Sequence, residues 1–263
     1  TQNVDVTTPT EVPGLSNVKG IATTFASTCA LMGDGSVRCW GDNAGGQLGR
    51  GVSDVNAHPE HAPVSGITGA TFLRGSSSGH FCAIVAGGEI RCWGANASGQ
   101  LGNGTSGGAS ATPVTVCQPG VAACSKSSGA KFVVGGDAHT CAIFADDKVA
   151  CWGSNDAGEL GRPSSSEDKV PTFITPSFTA KYLTAGNRAT CAVDTQGDVH
   201  CWGSNNLGAL GNGSASSSVS PGRVCTKQDC SAHLGDSTGV STYDASSCAI
   251  SNGAVKCWGT NSG

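Results

Sequence analysis

The chain has 263 residues and a net charge of −4, and only 13% of its residues are charged, while 40 are glycine and 14 are cysteine. This mildly acidic composition lacks the basic surface that nucleic-acid binding requires, and no apolar run approaches the length of a membrane span. Residues typical of helical bundles are replaced by Gly, Ser, Thr and Val, so the sequence predicts an all-β fold.

The cysteines are even in number and more frequent than a reducing compartment normally allows. Zinc is the competing explanation, but it requires short cysteine pairs matched by further ligands, and no Cys-x-x-Cys occurs in the chain. We therefore expect disulfides, a secreted or cell-surface location, no metal site and no cofactor.

Five units follow one another along the chain, and each contains Cys-Ala followed by Cys-Trp-Gly. The first unit predicts a β-hairpin in which Cys29 faces Cys39 and Leu31 faces Val37. Its three-residue loop ends at Gly35 in the left-handed conformation. Units two to four keep this spacing, and their left-handed positions are Gly88, Asp147 and Gly197.

The fifth unit is one residue shorter and carries Asn252-Gly253, the pair preferred in a two-residue type I′ turn. With that turn, Cys248 again faces Cys257. Opposed antiparallel residues lie within disulfide range, so one bridge in each unit is the economical solution, although sequence alone does not fix connectivity. The predicted pairs are Cys29–Cys39, Cys82–Cys92, Cys141–Cys151, Cys191–Cys201 and Cys248–Cys257, with Cys117–Cys124 and Cys225–Cys230 as two local loop bridges.

The recurring pattern CAL-x₂-DG-x-V-x-CWG-x-N-x₂-GQLG resembles the regulator of chromosome condensation repeat, in the cysteine-bearing form of secreted bacterial proteins. This resemblance implies a β-propeller built from four-stranded blades. Chromatin-associated members of the family bind nucleosomes or a small GTPase inside cells. The acidic balance and the paired cysteines of this chain argue against both partners.

The expected architecture is a single β-propeller domain over residues 1–263. Family members usually have seven blades, whereas this chain carries five Trp units. The N-terminal TTPTEVPGL matches the tail of a unit and the C-terminal CWGTNSG matches the head of one. We therefore expect five blades closed by pairing of the terminal strands, which removes exposed sheet edges. A piece of a longer repeat array or surface protein would have the same ends, and that alternative stays open.

One asparagine follows each Trp-Gly, and a ring of such side chains could offer amide groups to a sugar or a peptide. The alternative interpretation is structural, because asparagine forms turns through local backbone bonds. These positions are Asn43, Asn96, Asn155, Asn205 and Asn261.

Four long connections differ between the units, at 52–66, 103–129, 162–178 and 213–239. They occupy the same place in each repeat, so we expect them on one side of the ring, where they could bind a ligand. A flexible solvated loop is the alternative. The candidate binding residues are His58, Glu60, His61, Gln118, Phe173, Lys227, Gln228 and Asp229.

Catalytic signals are weak. Residues 75–79 match G-x-S-x-G, but a predicted strand follows where a nucleophile elbow needs a helix. Pro59 prevents the helical spacing with which two histidines bind zinc in hydrolases. His80 and His139 are expected to make structural hydrogen bonds near the blade core.

The sequence therefore predicts a non-enzymatic recognition or adhesion module outside the cell, which binds a glycan or a protein through its loop-bearing side. The alternative is a protein inhibitor of a secreted enzyme, with aromatic anchors in its loops. The available anchors are Phe173, Phe178 and Tyr243.

Overall fold

A computed structural model describes residues 7–121, 123–163, 167–174 and 178–260. These residues form five antiparallel sheets, four with four strands and the last with three. We call each sheet a blade and number the blades one to five in chain order. Strands within a blade pair in sequence order, so every blade is an up-and-down meander.

The strands fall into four classes by their position in the blade. The first, innermost strands are β1 (Val18–Thr23), β5 (Phe72–Gly75), β9 (Ala130–Gly135), β13 (Ala180–Ala185) and β17 (Ser237–Tyr243). The second strands are β2 (Ser27–Met32), β6 (His80–Val85), β10 (His139–Phe144), β14 (Ala189–Asp194) and β18 (Ser246–Ser251). The third strands are β3 (Val37–Asn43), β7 (Glu89–Asn96), β11 (Val149–Ser154), β15 (Val199–Gly203) and β19 (Ala254–Gly259). The outer strands are β4 (Asp54–Pro63), β8 (Gly108–Thr115), β12 (Glu167–Phe173) and β16 (Ser218–Arg223). Two short 3₁₀ turns lie at Ala86–Gly88 and Asn206–Gly208.

The predicted hairpin register is confirmed. Cys29 pairs with Cys39 and Leu31 with Val37, and the shorter fifth hairpin pairs Cys248 with Cys257. Asn252 and Gly253 both have positive φ, at 50° and 74°, as a type I′ turn requires. All seven predicted disulfides are present, and the five cross-strand pairs have Cα atoms 4.0–4.1 Å apart.

The five blades lie side by side in chain order. Their first strands pack against one another in the order β1, β5, β9, β13 and β17. Apolar clusters fill the spaces between neighbouring blades; the first three contain the Trp of the following blade, and Trp258 packs against the fourth. The indole N–H groups also bond across these junctions, from Trp93, Trp152, Trp202 and Trp258 to the carbonyl oxygens of Gln47, Gln100, Glu159 and Ala209 at 2.8–2.9 Å.

The last blade differs from the others, because no described residue forms a fourth strand beside β19. The described N-terminal residues contact blade one instead. Pro13 O is 3.2 Å from His61 Nε2, and Asn17 O accepts a hydrogen bond from Gly33 N. The predicted pairing of terminal strands is therefore not found among the described residues. The N-terminal residues that were expected to close the ring contact blade one, at His61 and at the turn containing Gly33.

The four long connections are not simple loops. Each one contains the outer strand of its blade, β4, β8, β12 or β16, so it runs from one end of the propeller to the other. The expectation that these segments emerge together on one side is wrong. The irregular register between third and outer strands explains the error, because it hides the alternation by which a strand is recognised.

The meander gives the propeller two different ends. We call one the mouth end; it holds the loops from third to outer strands and five short loops from first to second strands. These five, the mouth loops, are residues 24–26, 76–79, 136–138, 186–188 and 244–245. We call the other the staple end; it holds the hairpins between second and third strands, the connections between blades, and the bridges Cys117–Cys124 and Cys225–Cys230.

Candidate functional site

The recurring asparagines hold the loops that leave the third strands. Asn43, for example, is fully buried, donates to Val52 O and Asp54 Oδ2, and accepts from Leu48 N. Asn96, Asn155 and Asn205 make the equivalent bonds and are also buried. Their amides serve the protein's own backbone, so a ligand-binding role does not fit these four residues, and their role is structural. Asn261 lies outside the described residues.

The histidines of the first long connection lie on β4. His58 Nε2 is 2.9 Å from Asp54 Oδ1, and hydrogen bonds from Asn43 and His58 lower the pKa of Asp54 to about 2. His61 contacts Arg38 and Pro13, and the exposed Glu60 contributes its carbonyl oxygen to Arg50. The structure thus ties His58 and His61 into one edge strand and does not bring them together with the other candidates.

The remaining candidates lie near the staple end. Gln118 Oε1 accepts a 2.7 Å hydrogen bond from Ser128 N and so joins the Cys117–Cys124 loop to the segment that follows it. Phe173 packs edge-on against Phe144, with ring centroids 5.9 Å apart. Lys227, Gln228 and Asp229 are exposed on the second bridged loop. They are accessible there, but they lie at the opposite end from the four asparagines.

Two of the three aromatic anchors invoked for an inhibitor are part of the protein's own packing. Phe173 contacts Phe144, and the Phe178 ring lies 5.7 Å from the Trp202 ring. Tyr243 remains, with 66% of its surface exposed.

His80 and His139 are fully buried and make the predicted structural bonds. His80 Nε2 lies 2.9 Å from Thr140 Oγ1, which itself donates to Gln100 O, so the ring nitrogen must be the donor. His139 forms the same relay through Thr190 to Glu159 O. Burial lowers the pKa of His80 to about 3 and that of His139 to about 4, so both are neutral at physiological pH.

A cavity of about 330 Å³ opens at the mouth end, where the five first strands finish. Every blade contributes to its wall. The lining residues are Thr23, Thr24, Phe25, Gly75, Ser76, Ser77, Gly135, Ala185, Gly186 and Tyr243. Phe25 is 95% exposed and Tyr243 is 66% exposed, so two aromatic rings stand at this opening without being packed into the core.

Polar side chains connect the mouth loops around the rim of the cavity. Ser77 Oγ lies 3.5 Å from both Asp137 Oδ1 and Asn187 Oδ1, and Ser78 Oγ donates to Asp137 O. Asn187 Nδ2 donates to Asp244 Oδ1 at 3.2 Å. One network therefore joins blades two to five at the place where a ligand would contact the cavity.

Most residues of this rim carry no recurring sequence signal. Phe25, Asp137, Asn187 and Asp244 each lie four residues before the first cysteine of their unit, but the residue type changes from unit to unit. A search for recurring residues passes over such a position. The available signal was a short variable segment between two predicted strands of each unit, since binding residues tend to lie on loops held by a scaffold.

One cluster of possible metal ligands lies at the hairpin of blade four. Asp194, Asp198 and His200 bring three possible metal ligands within 4.8 Å of one another. His200 Nε2 bonds to Asp194 Oδ2 at 2.9 Å, and Arg223 pairs with Asp198 at 2.8 Å. The two carboxylates and His200 Nε2 thus have partners within the protein, whereas His200 Nδ1 is buried without one among the described residues, and we assign the cluster a structural role. Among the described residues, no helix has the length and apolar composition needed to cross a membrane.

Family models and solved structures match this arrangement. Residues 18–47, 75–100, 130–159 and 181–209 match a model of the regulator of chromosome condensation (RCC1) repeat, and residues 196–240 match a second model of that repeat. The human probable E3 ubiquitin-protein ligase HERC6 is 31% identical over 172 residues, which is 64% of this chain and 16% of HERC6.

Two solved structures share the fold. Human WBSCR16 superposes with a TM-score of 0.77 at 20% identity, covering 96% of this chain and 65% of that one. Prp20p from Saccharomyces cerevisiae, whose structure was described with its binding to Gsp1p and histones, gives 0.73 at 21% identity, covering 89% and 56%. This chain therefore spans about one sixth of HERC6 and between half and two thirds of these propellers. With its repeated hairpins, inter-blade Trp residues and matched segments, the chain belongs to the RCC1 repeat family.

Proposed function

We propose that this protein is a non-enzymatic recognition module that works outside the cell and binds a protein partner at its mouth end. The observation that carries the proposal is the cavity to which all five blades contribute, with Phe25 and Tyr243 exposed beside it. Exposed aromatic residues supply much of the binding energy of protein interfaces, because they bury a large area at a small cost in conformational entropy.

The cysteine pairing supports the extracellular setting. All fourteen cysteines are paired, and reducing compartments do not maintain so many disulfides. Intact mass spectrometry of the protein from its native source tests this: reduction should add about 14 Da, two hydrogens for each bridge. Free thiols in freshly isolated protein would contradict an oxidising compartment.

The similar fold of Prp20p supports a protein rather than a sugar as the ligand, since that structure was described with its binding to Gsp1p and histones. A glycan is the alternative that the exposed aromatics also allow. A panel of secreted proteins and a printed glycan array, both probed with the oxidised protein, separate these ligand classes.

The location of binding is tested with matched variants. A Phe25→Ser/Tyr243→Ser double variant should lose at least tenfold in affinity for any captured partner, because it removes both exposed rings. Lys227→Ala/Gln228→Ala, on an exposed loop at the staple end, serves as the control and should bind like the parent. Loss of binding in the control variant alone would place the interface at the staple end and overturn the proposal.

A further inference from the structure

The mouth end carries an uncompensated negative charge. Asp137 and Asp244 lie on mouth loops, and their hydrogen-bond partners there are the neutral side chains of Ser77 and Asn187. The mouth loops contain a single cation, Arg188, whose guanidinium lies 3.5 Å from Glu159 and 4.0 Å from Asp156. Within the part of the chain that the structure describes, neither rim carboxylate forms an ion pair.

Five further cations of the described residues lie on other segments. Lys126, Lys148 and Lys227 lie on staple-end segments. The carboxylates that pair with Lys126 and Lys148 lie at the same end. Arg50 and Arg162 follow third strands and donate to backbone oxygens of their own blades, at Cys39 O and Cys151 O. The carboxylates of Asp137 and Asp244 therefore give the rim of the cavity a negative potential toward an approaching partner.

The histidines beneath the mouth add no positive charge. The His80 ring borders Gly135, which lines the cavity, and the His139 ring borders Gly136 next to Gly186 O. Both rings are fully buried, and their Nδ1 atoms have no hydrogen-bond partner among the described residues. Because burial keeps the pKa of each imidazole below the physiological range, both rings remain neutral.

We infer that the mouth cavity receives a lysine or arginine side chain of the protein partner, an inference that rests on the proposed function. Phe25 and Tyr243 would flank the aliphatic stem and the cation, and Asp137 and Asp244 would bind its charged end. The serine and threonine hydroxyls of the wall would accept the remaining N–H groups.

The size of the cavity fits one side chain. Its volume of about 330 Å³ is near the lower end of the range of roughly 300–1,000 Å³ for ligand pockets. A cavity of this size is too small for a folded segment. The exposed Phe25 and Tyr243 give the rim an apolar face, and Asp137 and Asp244 give it an anionic one, so it offers both faces that a basic side chain needs. A neutral sugar would use the rings but would leave the two carboxylates without a counter-charge.

Isothermal titration calorimetry on the intact, oxidised protein tests the inference with two blocked peptides, acetyl-Gly-Arg-Gly-Lys-Gly-amide and the same peptide with glutamine at both basic positions. The basic peptide should bind with at least tenfold higher affinity, and raising the salt from low to physiological concentration should weaken it. Equal affinity for both peptides, or no binding of the basic peptide at millimolar concentration, would overturn the inference.

Asp137→Asn and Asp244→Asn should each lower the affinity for the basic peptide about fivefold, and the double variant should lower it further. Both substitutions preserve the fold: blade four already has Asn187 at the position of Asp137, and Asn tolerates the positive φ of 49° at Asp244. Asp229→Asn, an exposed carboxylate at the staple end, is the matched control and should not change the affinity.

The same variants separate this inference from the proposed function. If the Phe25→Ser/Tyr243→Ser variant loses a captured partner while both Asp→Asn variants keep it, the mouth is an interface but not a site for a basic side chain. If the aromatic variant also retains the partner, the proposed function itself fails.

Discussion

Blades three and five share one sequence pattern but have different surroundings. In blade three the facing pair Ile143 and Val149 is 2% and 1% exposed, whereas the equivalent pair in blade five, Ile250 and Val255, is 46% and 70% exposed. Blade four covers the first pair through residues such as Leu183, and no described blade follows blade five. The repeat therefore encodes the hairpin, and the neighbouring blade determines whether its apolar face becomes core.

The largest expected difference between these blades comes from removing the buried isoleucine. Ile143→Ala should lower the free energy of unfolding by about 3 kcal/mol, because it removes buried methyl groups and leaves a cavity between blades. Ile250→Ala should cost less than about 1 kcal/mol, since that side chain is half exposed. Denaturant titrations of both variants measure the contrast. Equal costs would mean that the outer face of blade five is covered in solution.

A second test concerns the position two residues before the first cysteine of each unit. Blades two and three have a histidine there, whereas blades one and five have Ser27 and Ser246. The folded-state pKa of His80 lies at about 3, below its ordinary value of 6.5. Below pH 6.5 the unfolded chain therefore binds a proton that the folded chain does not. The free energy of unfolding consequently decreases as the pH is lowered. The loss by pH 4.5 should be about 2 kcal/mol from this residue.

The variant His80→Ser should flatten this acid dependence between pH 6.5 and 4.5, although its stability at pH 7 should drop because the bond to Thr140 is lost. Thermal unfolding across this pH range supplies the measurement, with the exposed His233→Ser as control. An unaltered slope in the His80 variant would show that the buried imidazole takes up a proton without penalty.

The smallest of the three effects concerns the indole hydrogen bond across a junction. Trp202→Phe should lower the free energy of unfolding by about 1.5 kcal/mol more than Trp40→Phe does, because Glu159 O then loses a buried hydrogen-bond donor. Trp40 is half-buried, and its Nε1 has no hydrogen-bond partner among the described residues, so Trp40→Phe removes no such bond. Similar losses in the two variants would indicate that packing, not the hydrogen bond, dominates at the junction.

Much of the fold follows from local sequence. The spacing of Cys29 and Cys39, the left-handed Gly35, and the Asn252-Gly253 turn specify register without reference to other blades, because a hairpin is set by its turn and its facing pairs. The outer strands were harder to predict. Their residues pair irregularly with the third strand, so the two-residue alternation of a strand is broken.

The candidate site was predicted less well than the fold. The asparagines recur because each loop needs the same backbone bonds, so recurrence marked structure instead of binding. Tyr243 was a candidate anchor from sequence, and the structure places it at the cavity. Its companion Phe25 lies more than two hundred residues away along the chain, and no local pattern connects the two.

Hairpin register and blade identity are properties of short segments, and for these the sequence of this protein was sufficient; the disulfide pairing followed from that register only as the economical solution. The burial of each apolar face, the neutral state of the two inner histidines and the gathering of Phe25, Asp137, Asp244 and Tyr243 at one opening depend on how whole blades pack. Such packing joins residues that are distant in sequence, and only the tertiary structure decides it.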